Sequence, residues 1–225
     1  LKLVLKIAGG LFLFLIVAYI GIAVYVNVNK KEILQSITTQ LNDKINGSLT
    51  IEKMEPELLR GLPGISFTLS NVLVRDSLWS THHIDLLKAK DIYVAIDVWA
   101  LLKGTIRIRD VNIHKADIYI FIDTAGYSNT SIFTKKRKTG KADNDIRLNH
   151  LNFTEVTFVF ENNTKSKLFR FDIAKLKMEL KYAPGSWKAT VGINTLVKDM
   201  SFNTGKGSFI KNKRLVAGLN MEYDK

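Results

Sequence analysis

The sequence predicts a membrane-anchored, mainly-β chain: an N-terminal transmembrane helix, a short amphipathic helix, then an elongated antiparallel repeating β-sheet forming a groove. Three observations carry this reading. An uncharged apolar run fills residues 7–29, the apolar period drops from near 3.6 to 2 around Gly47, and three strand-and-turn blocks resemble one another about forty residues apart.

Composition sets the outer bounds. With 225 residues and 46% hydrophobic content the chain can bury a core in one or two domains, which excludes disorder. The absence of cysteine excludes a disulfide framework, a thiol nucleophile and a Cys-based metal site. Basic residues outnumber acidic ones 33 to 21, and the net charge of +12 favours an anionic neighbour such as phospholipid headgroups, lipopolysaccharide or nucleic acid. Charge does not choose among these. Because the sequence starts at Leu1 and ends at Lys225 inside an apparent amphipathic strand, Leu215 to Tyr223, a fragment of a longer protein is expected.

Residues 1–29 are assigned to the anchor. No charge interrupts Ile7 to Asn29, and Lys2 and Lys6 precede the run while Lys30 and Lys31 follow it. At about 1.5 Å of rise per residue such a run spans a bilayer core. It is too long for a typical cleaved signal segment and lacks a convincing small-x-small cleavage site. Ile7, Leu11, Phe12, Phe14, Ile16, Tyr19, Ile22 and Tyr25 are its candidate lipid-contacting residues. The flanking lysines balance, so orientation is not set by them.

Residues 30–47 read as an amphipathic helix. Ile33, Ile37, Leu41 and Ile45 recur every fourth residue beside Leu34, and Asn46-Gly47 offers C-cap chemistry. Packing of its stripe on the following sheet is expected.

The β-region then runs over 48–133. A strand at Leu49 to Lys53 is expected to end at Glu55-Pro56, and Leu58 to Asp76 reads as a Gly/Pro turn feeding the first block. A polar loop, Ser77 to Asp85, precedes the row Ile92, Val94, Ile96 and Val98. The next row is Ile118, Ile120 and Ile122, followed by a turn at Gly126 to Asn129. Residues 134–145 form a basic loop holding Lys135 to Lys138 and Lys141. Strands resume over 146–225, where Leu176, Met178 and Leu180 alternate with lysines and a glutamate, and similar alternating rows start at Trp187 and Leu215. Shifted by forty, Ile113, Ile118 and Ile120 become Phe153, Phe158 and Phe160, and shifted back by thirty-nine the block falls on Phe67, Leu69, Val72 and Val74.

So many apolar rows raise a burial problem, since one short helix outside the bilayer cannot cover them all. A second sheet, further chain, or acyl chains lying in a hydrophobic trough would each solve it. For the trough, the lipid-facing candidates are Ile92, Val94, Ile96, Val98, Ile118, Ile120, Ile122, Phe158, Phe160, Leu176, Met178 and Leu180. The assignment holds only where the register is uninterrupted, because a bulge inverts it.

Other chemistry finds little support. His82-His83, His114 and His150 lack metal-ligand spacing, so no metal is expected. Asn203 to Ser208 lacks the first glycine of a phosphate loop and reads as a hairpin turn. The lysine run at Lys135 to Lys141 reads as a solvated loop rather than a nucleic-acid site. No acidic pair or Ser-His-Asp set lies in a recognisable catalytic motif, so the chain is expected to be non-enzymatic, without a cofactor.

The order of three segments resembles the AsmA family. They are L-L-R-G-L-P-G-I-S-F-T-L-S-N-V-L-V-R-D from Leu58 to Asp76, K-A-K-D-I-Y-V-A-I-D-V-W-A-L-L-K-G from Lys88 to Gly104, and I-R-I-R-D-V-N-I-H-K-A-D-I-Y-I from Ile106 to Ile120, with D-T-A-G-Y-S-N following at Asp123. The likeness covers roughly the first 130 residues. It implies a single-pass protein of the bacterial inner membrane with its β-region in the periplasm, an AsmA-like groove related to bridge-like lipid transfer proteins. Implied too are membrane phospholipid and outer-membrane assembly components as partners, in outer-membrane biogenesis and lipid homeostasis. No catalytic residue carries over.

Overall fold

The structure, a computed structural model, describes residues 17, 20–21, 24–43, 45–57, 65–97, 108–134, 148–183 and 185–224. Eight strands form one sheet in simple sequence order: β1 (Gly47–Glu57), β2 (Ile65–Asp76), β3 (Leu87–Ile96), β4 (Ile108–Ile122), β5 (His150–Asn162), β6 (Lys167–Ala183), β7 (Ser186–Ser201) and β8 (Lys213–Asp224). Each neighbour pair is antiparallel except β4–β5, which is parallel. The expectation of a wholly antiparallel sheet is corrected there. A parallel neighbour needs a crossover connection, and Ile122 and His150 lie far enough apart in sequence to allow one.

The forty-residue repeat is the register of that parallel pair. Ile113 lies opposite Phe153, Ile118 opposite Phe158 and Ile120 opposite Phe160. The thirty-nine-residue shift has no such meaning. Through β3, Leu69 aligns with Ile113 and Val74 with Ile118, an offset of forty-four.

Helix α1 (Lys30–Asn42) follows helical residues 24–28, and hydrogen bonds from Asn29 N to Tyr25 O and from Ile33 N to Asn29 O, both 3.0 Å, carry across the joint. Val26, Ile33 and Leu34 pack into the core over β1, as the amphipathic stripe requires. The helix ends earlier than expected. Asn42 Oδ1 accepts from Leu49 N at 2.6 Å and Asn42 Nδ2 donates to Leu49 O at 3.0 Å, so this side chain pairs with β1 as a strand would. Gly47 is not a cap but the first residue of β1, opposite Asp76. It must be glycine, because a Cβ there would stand 2.2 Å from Arg75 O.

β1 also runs past its expected end. Pro56 lies opposite Phe67 inside the pairing, tolerable because β1 is an edge strand and its missing N–H is not owed to a second neighbour. The loop expected at Ser77 to Asp85 contains a short helix, α2 (Trp79–His82). Arg75 rests on it, its guanidinium 3.8 Å from the Trp79 ring centre while Nε bonds Asp85 Oδ1 at 2.6 Å.

Among the described residues no helix is long and apolar enough to cross a membrane. Of the anchor candidates, Ile7, Leu11, Phe12, Phe14, Ile16, Tyr19 and Ile22 lie outside the described residues, and Tyr25 stands exposed on the helical segment. Val98 and the basic run at Lys135 to Lys141 also lie outside them.

Candidate functional site

Pairing registers place the apolar rows on one face of the sheet, since directly opposed residues share a side. One row runs Leu49, Val74, Leu87, Ile118, Phe158, Phe171 and Val197. Another runs Met54, Leu69, Ile92, Ile113, Phe153, Leu176, Ile193 and Ala217, and the next runs Pro56, Phe67, Val94, Val111, Leu151, Met178, Val191 and Leu219. Ile120, Phe160, Phe169 and Met200 continue the pattern toward one end, and Leu180, Ala189 and Met221 toward the other. This apolar surface is eight strands wide.

Every lipid-facing candidate among the described residues falls on that face, in two classes. Ile92, Val94 and Ile96 are buried within the core beneath which Val26 and Met54 also gather. Ile118, Ile120, Ile122, Phe158, Phe160, Leu176, Met178 and Leu180 remain half-buried. Exposure rises at β8, where Leu219 keeps 55% of its surface and Leu215, Met221 and Tyr223 are also exposed. Among the described residues no second sheet lies over this face, and α1 packs along β1. Ring contacts stiffen the open part: Phe160 on Phe169 at 5.7 Å, Phe158 on Phe171 at 6.3 Å and Trp187 on Tyr223 at 6.2 Å.

The rows share a face only because six strands break their alternation at the same height. Leu49 and Ile51 are odd-numbered but Met54 is even; Phe67 and Leu69 are odd but Val72 and Val74 are even. The same inversion falls in β3 to β6. At each break two successive residues leave the apolar side: Glu52-Lys53, Ser70-Asn71, Lys90-Asp91, His114-Lys115, Thr154-Glu155 and Ala174-Lys175. Asn71, Lys115 and Glu155 take left-handed φ values of 53°, 52° and 56° to do so. Between β6 and β7 the register shifts across Ile173 and Lys175 and again across Arg170 and Phe171, where Lys198 is an extra residue of β7 that brings Met200 to the apolar side; β8 alternates without a break.

Cross-strand polar pairs stitch this line. Asn71 Nδ2 donates to Glu52 Oε2 at 2.6 Å and Ser70 Oγ to Asp91 Oδ1 at 3.0 Å, while Glu155 sits 3.6 Å from His114 Nε2 and 3.8 Å from Lys115 Nζ. Beside it the polar face holds a hollow of about 730 Å³ lined by Glu55, Glu57, Thr68, Ser70, Asp91, Tyr93, Asn112, His114 and Thr154. On its rim the exposed Lys53–Glu55 pair, 2.5 Å apart, raises the lysine's pKa and lowers the glutamate's through their hydrogen bond.

A second polar cluster sits at the strand ends near α2. Buried Asp76 receives hydrogen bonds from Tyr127 Oη and from His82 Nε2, 3.1 Å from Oδ2, and Ser131 Oγ donates to Tyr127 Oη at 3.0 Å. Burial, followed by the bond to Asp76, raises the Tyr127 pKa. His82 Nδ1 accepts from Ile84 N at 3.0 Å, so the proton is on Nε2 and no ring lone pair is left for a general base. Through these bonds and that from Leu78 N to Asp76 Oδ2, the cluster braces the loop. Nearby, Asn129 Oδ1 accepts from Phe121 N at 3.1 Å and its Nδ2 donates to Tyr119 O at 2.7 Å, extending β4's pairing with a side chain. Tyr119 in turn donates to Glu161, and burial ahead of that bond pushes its pKa up to about 12.

Among the described residues His82, His114 and His150 pair separately with Asp76, Glu155 and Asp110, and no three metal-ligating side chains converge. Sequence patterning missed the exposed pair Phe202 and Phe209 on the β7–β8 connection, whose 3-10 turn Thr204–Lys206 is a hairpin link as expected. Their signal was phenylalanine placed in a polar turn. Comparison with family models, with curated proteins and with solved structures returns no match for this chain.

Proposed function

We propose that the chain is a non-enzymatic lipid-handling protein of the bacterial inner membrane, whose β-region shields acyl chains on its apolar face and serves outer-membrane biogenesis and lipid homeostasis. The carrying observation is one apolar surface, eight strands wide, with half-buried Ile118, Phe158, Leu176 and Met178 at its middle. A surface of this kind marks a binding site. A polar opposite face keeps the other side in water. The uncharged run at residues 7–29 and the AsmA-like order of segments support placing the sheet beside a membrane, anchored by a transmembrane helix.

A second reading is an anchored interaction module for outer-membrane assembly with a dry core. It draws on the β1–β3 side, where α1 and helical Val26 close over Met54, Phe67 and Ile92. The two separate by lipid mass spectrometry of the full chain purified beside its Ile120→Asp and Met178→Lys variants. Phospholipid in excess of that held by both folded variants supports shielding. Equal lipid in all three favours the dry module.

A further inference from the structure

We propose that the end of the sheet bearing Phe202 and Phe209 docks on an anionic phospholipid bilayer. The inference stands on this tip alone, whether or not acyl chains lie on the sheet.

Phe209 keeps 76% of its surface exposed and Phe202 51%, on a connection that is well braced. Phe209 N donates to Met200 O at 2.8 Å, Met200 N to Ile210 O at 2.9 Å, and Thr204 N to Ser166 O at 2.7 Å. That last bond ties the β7–β8 connection to the β5–β6 turn, making one composite tip. Gly207 holds φ at 84°, the left-handed region that glycine adopts without strain. Two large apolar rings are therefore held out in water by a built loop, at a standing hydration cost.

The surroundings fix the occupant. Residues 202–214 carry Lys206, Lys211, Lys213 and Arg214, and residues 163–167 add Lys165 and Lys167, with no acidic residue in either segment. Lys165, Lys206, Lys211 and Lys213 are exposed. Aromatic rings ringed by cations match the boundary of an anionic bilayer, where rings enter the headgroup region and each lysine adds about fivefold to partitioning. The rings also continue the apolar face. Phe160 stacks on Phe169 at 5.7 Å, Phe169 meets Phe202 at 5.4 Å, and Phe202 meets Phe209 at 5.9 Å. A protein partner would be expected to present acidic groups and a complementary pocket; a bilayer needs only charge and apolar depth.

The chain has no cysteine, so one introduced at position 209 takes a single label. Full chain in phosphatidylcholine nanodiscs, with the fluorophore NBD at Phe209→Cys, is mixed with vesicles of phosphatidylglycerol. The expected result is a blue shift with several-fold brighter emission, absent with phosphatidylcholine vesicles and absent for a label at Lys188→Cys on the polar face. Vesicle capture should fall at least tenfold in Phe202→Ser/Phe209→Ser and in Lys206→Glu/Lys211→Glu, with unchanged circular dichroism. An unshifted probe at 209 overturns the proposal. So does capture that survives loss of both rings, which would be charge alone, and so does self-association of the chain through this tip in place of vesicle binding.

Discussion

Lys115 and Glu155 stand side by side in the parallel β4–β5 pair, both with left-handed φ, their Nζ and Oε2 3.8 Å apart. They are the exposed centre of the line along which six strands turn two successive residues outward. Without that line, the residues beyond it in each strand would point to the wrong side.

Substitutions at the line should follow backbone conformation rather than charge. Lys115→Gly relieves a left-handed L-residue and is expected to be neutral or stabilising by up to ~1 kcal/mol, while Lys115→Ile should cost about 1–2 kcal/mol. Urea denaturation of the two variants measures the difference. Deleting Glu155 should be far worse, since β5 then falls one residue short of β4 and β6, which keep their extra residue, and the pairing on one side of the line must slip. Loss of cooperative melting is the expected outcome.

Gly47→Ala should destabilise by about 2–3 kcal/mol through overpacking. Its Cβ would meet Arg75 O, Asp76 Cα and the Ile132 side chain, of which the first two are backbone and cannot swing away. Thermal melting of Gly47→Ala against Gly218→Ala, where nothing lies within 4 Å, isolates the clash.

Strand rows were legible because each half-strand alternates cleanly, and Leu176, Met178 and Leu180 against Lys175, Lys177 and Glu179 predicted their shared face correctly. The break was not read, although it left a mark: an outward pair such as Glu52-Lys53 or Ser70-Asn71 between apolar residues of opposite parity. Pairing direction was hidden for a different reason. The forty-residue likeness of Ile113 to Phe153 fits either a repeat in an antiparallel series or direct parallel neighbours, and nothing local distinguishes them. Asn42 and Asn129 act as strand partners through side chains, which no periodicity reveals.

Asp76→Ala should cost about 2–4 kcal/mol, because it leaves Tyr127 and His82 without their acceptor in a buried site. Release of the α2 loop would show as faster amide exchange at Leu78, whose N–H bonds Asp76 Oδ2 at 3.2 Å.

Tyr119 sets an alkaline limit. Burial pushes its folded pKa up to about 12, above the ordinary tyrosine value of ~10, so its contribution is complete below pH ~10 and is lost as pH rises through about 12. Tyr119→Phe should flatten that part of the stability profile and cost about 1 kcal/mol at neutral pH, read by urea melts across pH.

On the proposed function, acyl chains lie on the half-buried rows of the apolar face. Photo-crosslinking in cells tests it most directly, with benzoylphenylalanine placed at Phe158 or Met178 on that face and at Tyr93 on the polar one. Phospholipid adducts at Phe158 and Met178 but not at Tyr93 are predicted. Adducts at none of the three positions, or equally at all, would contradict it.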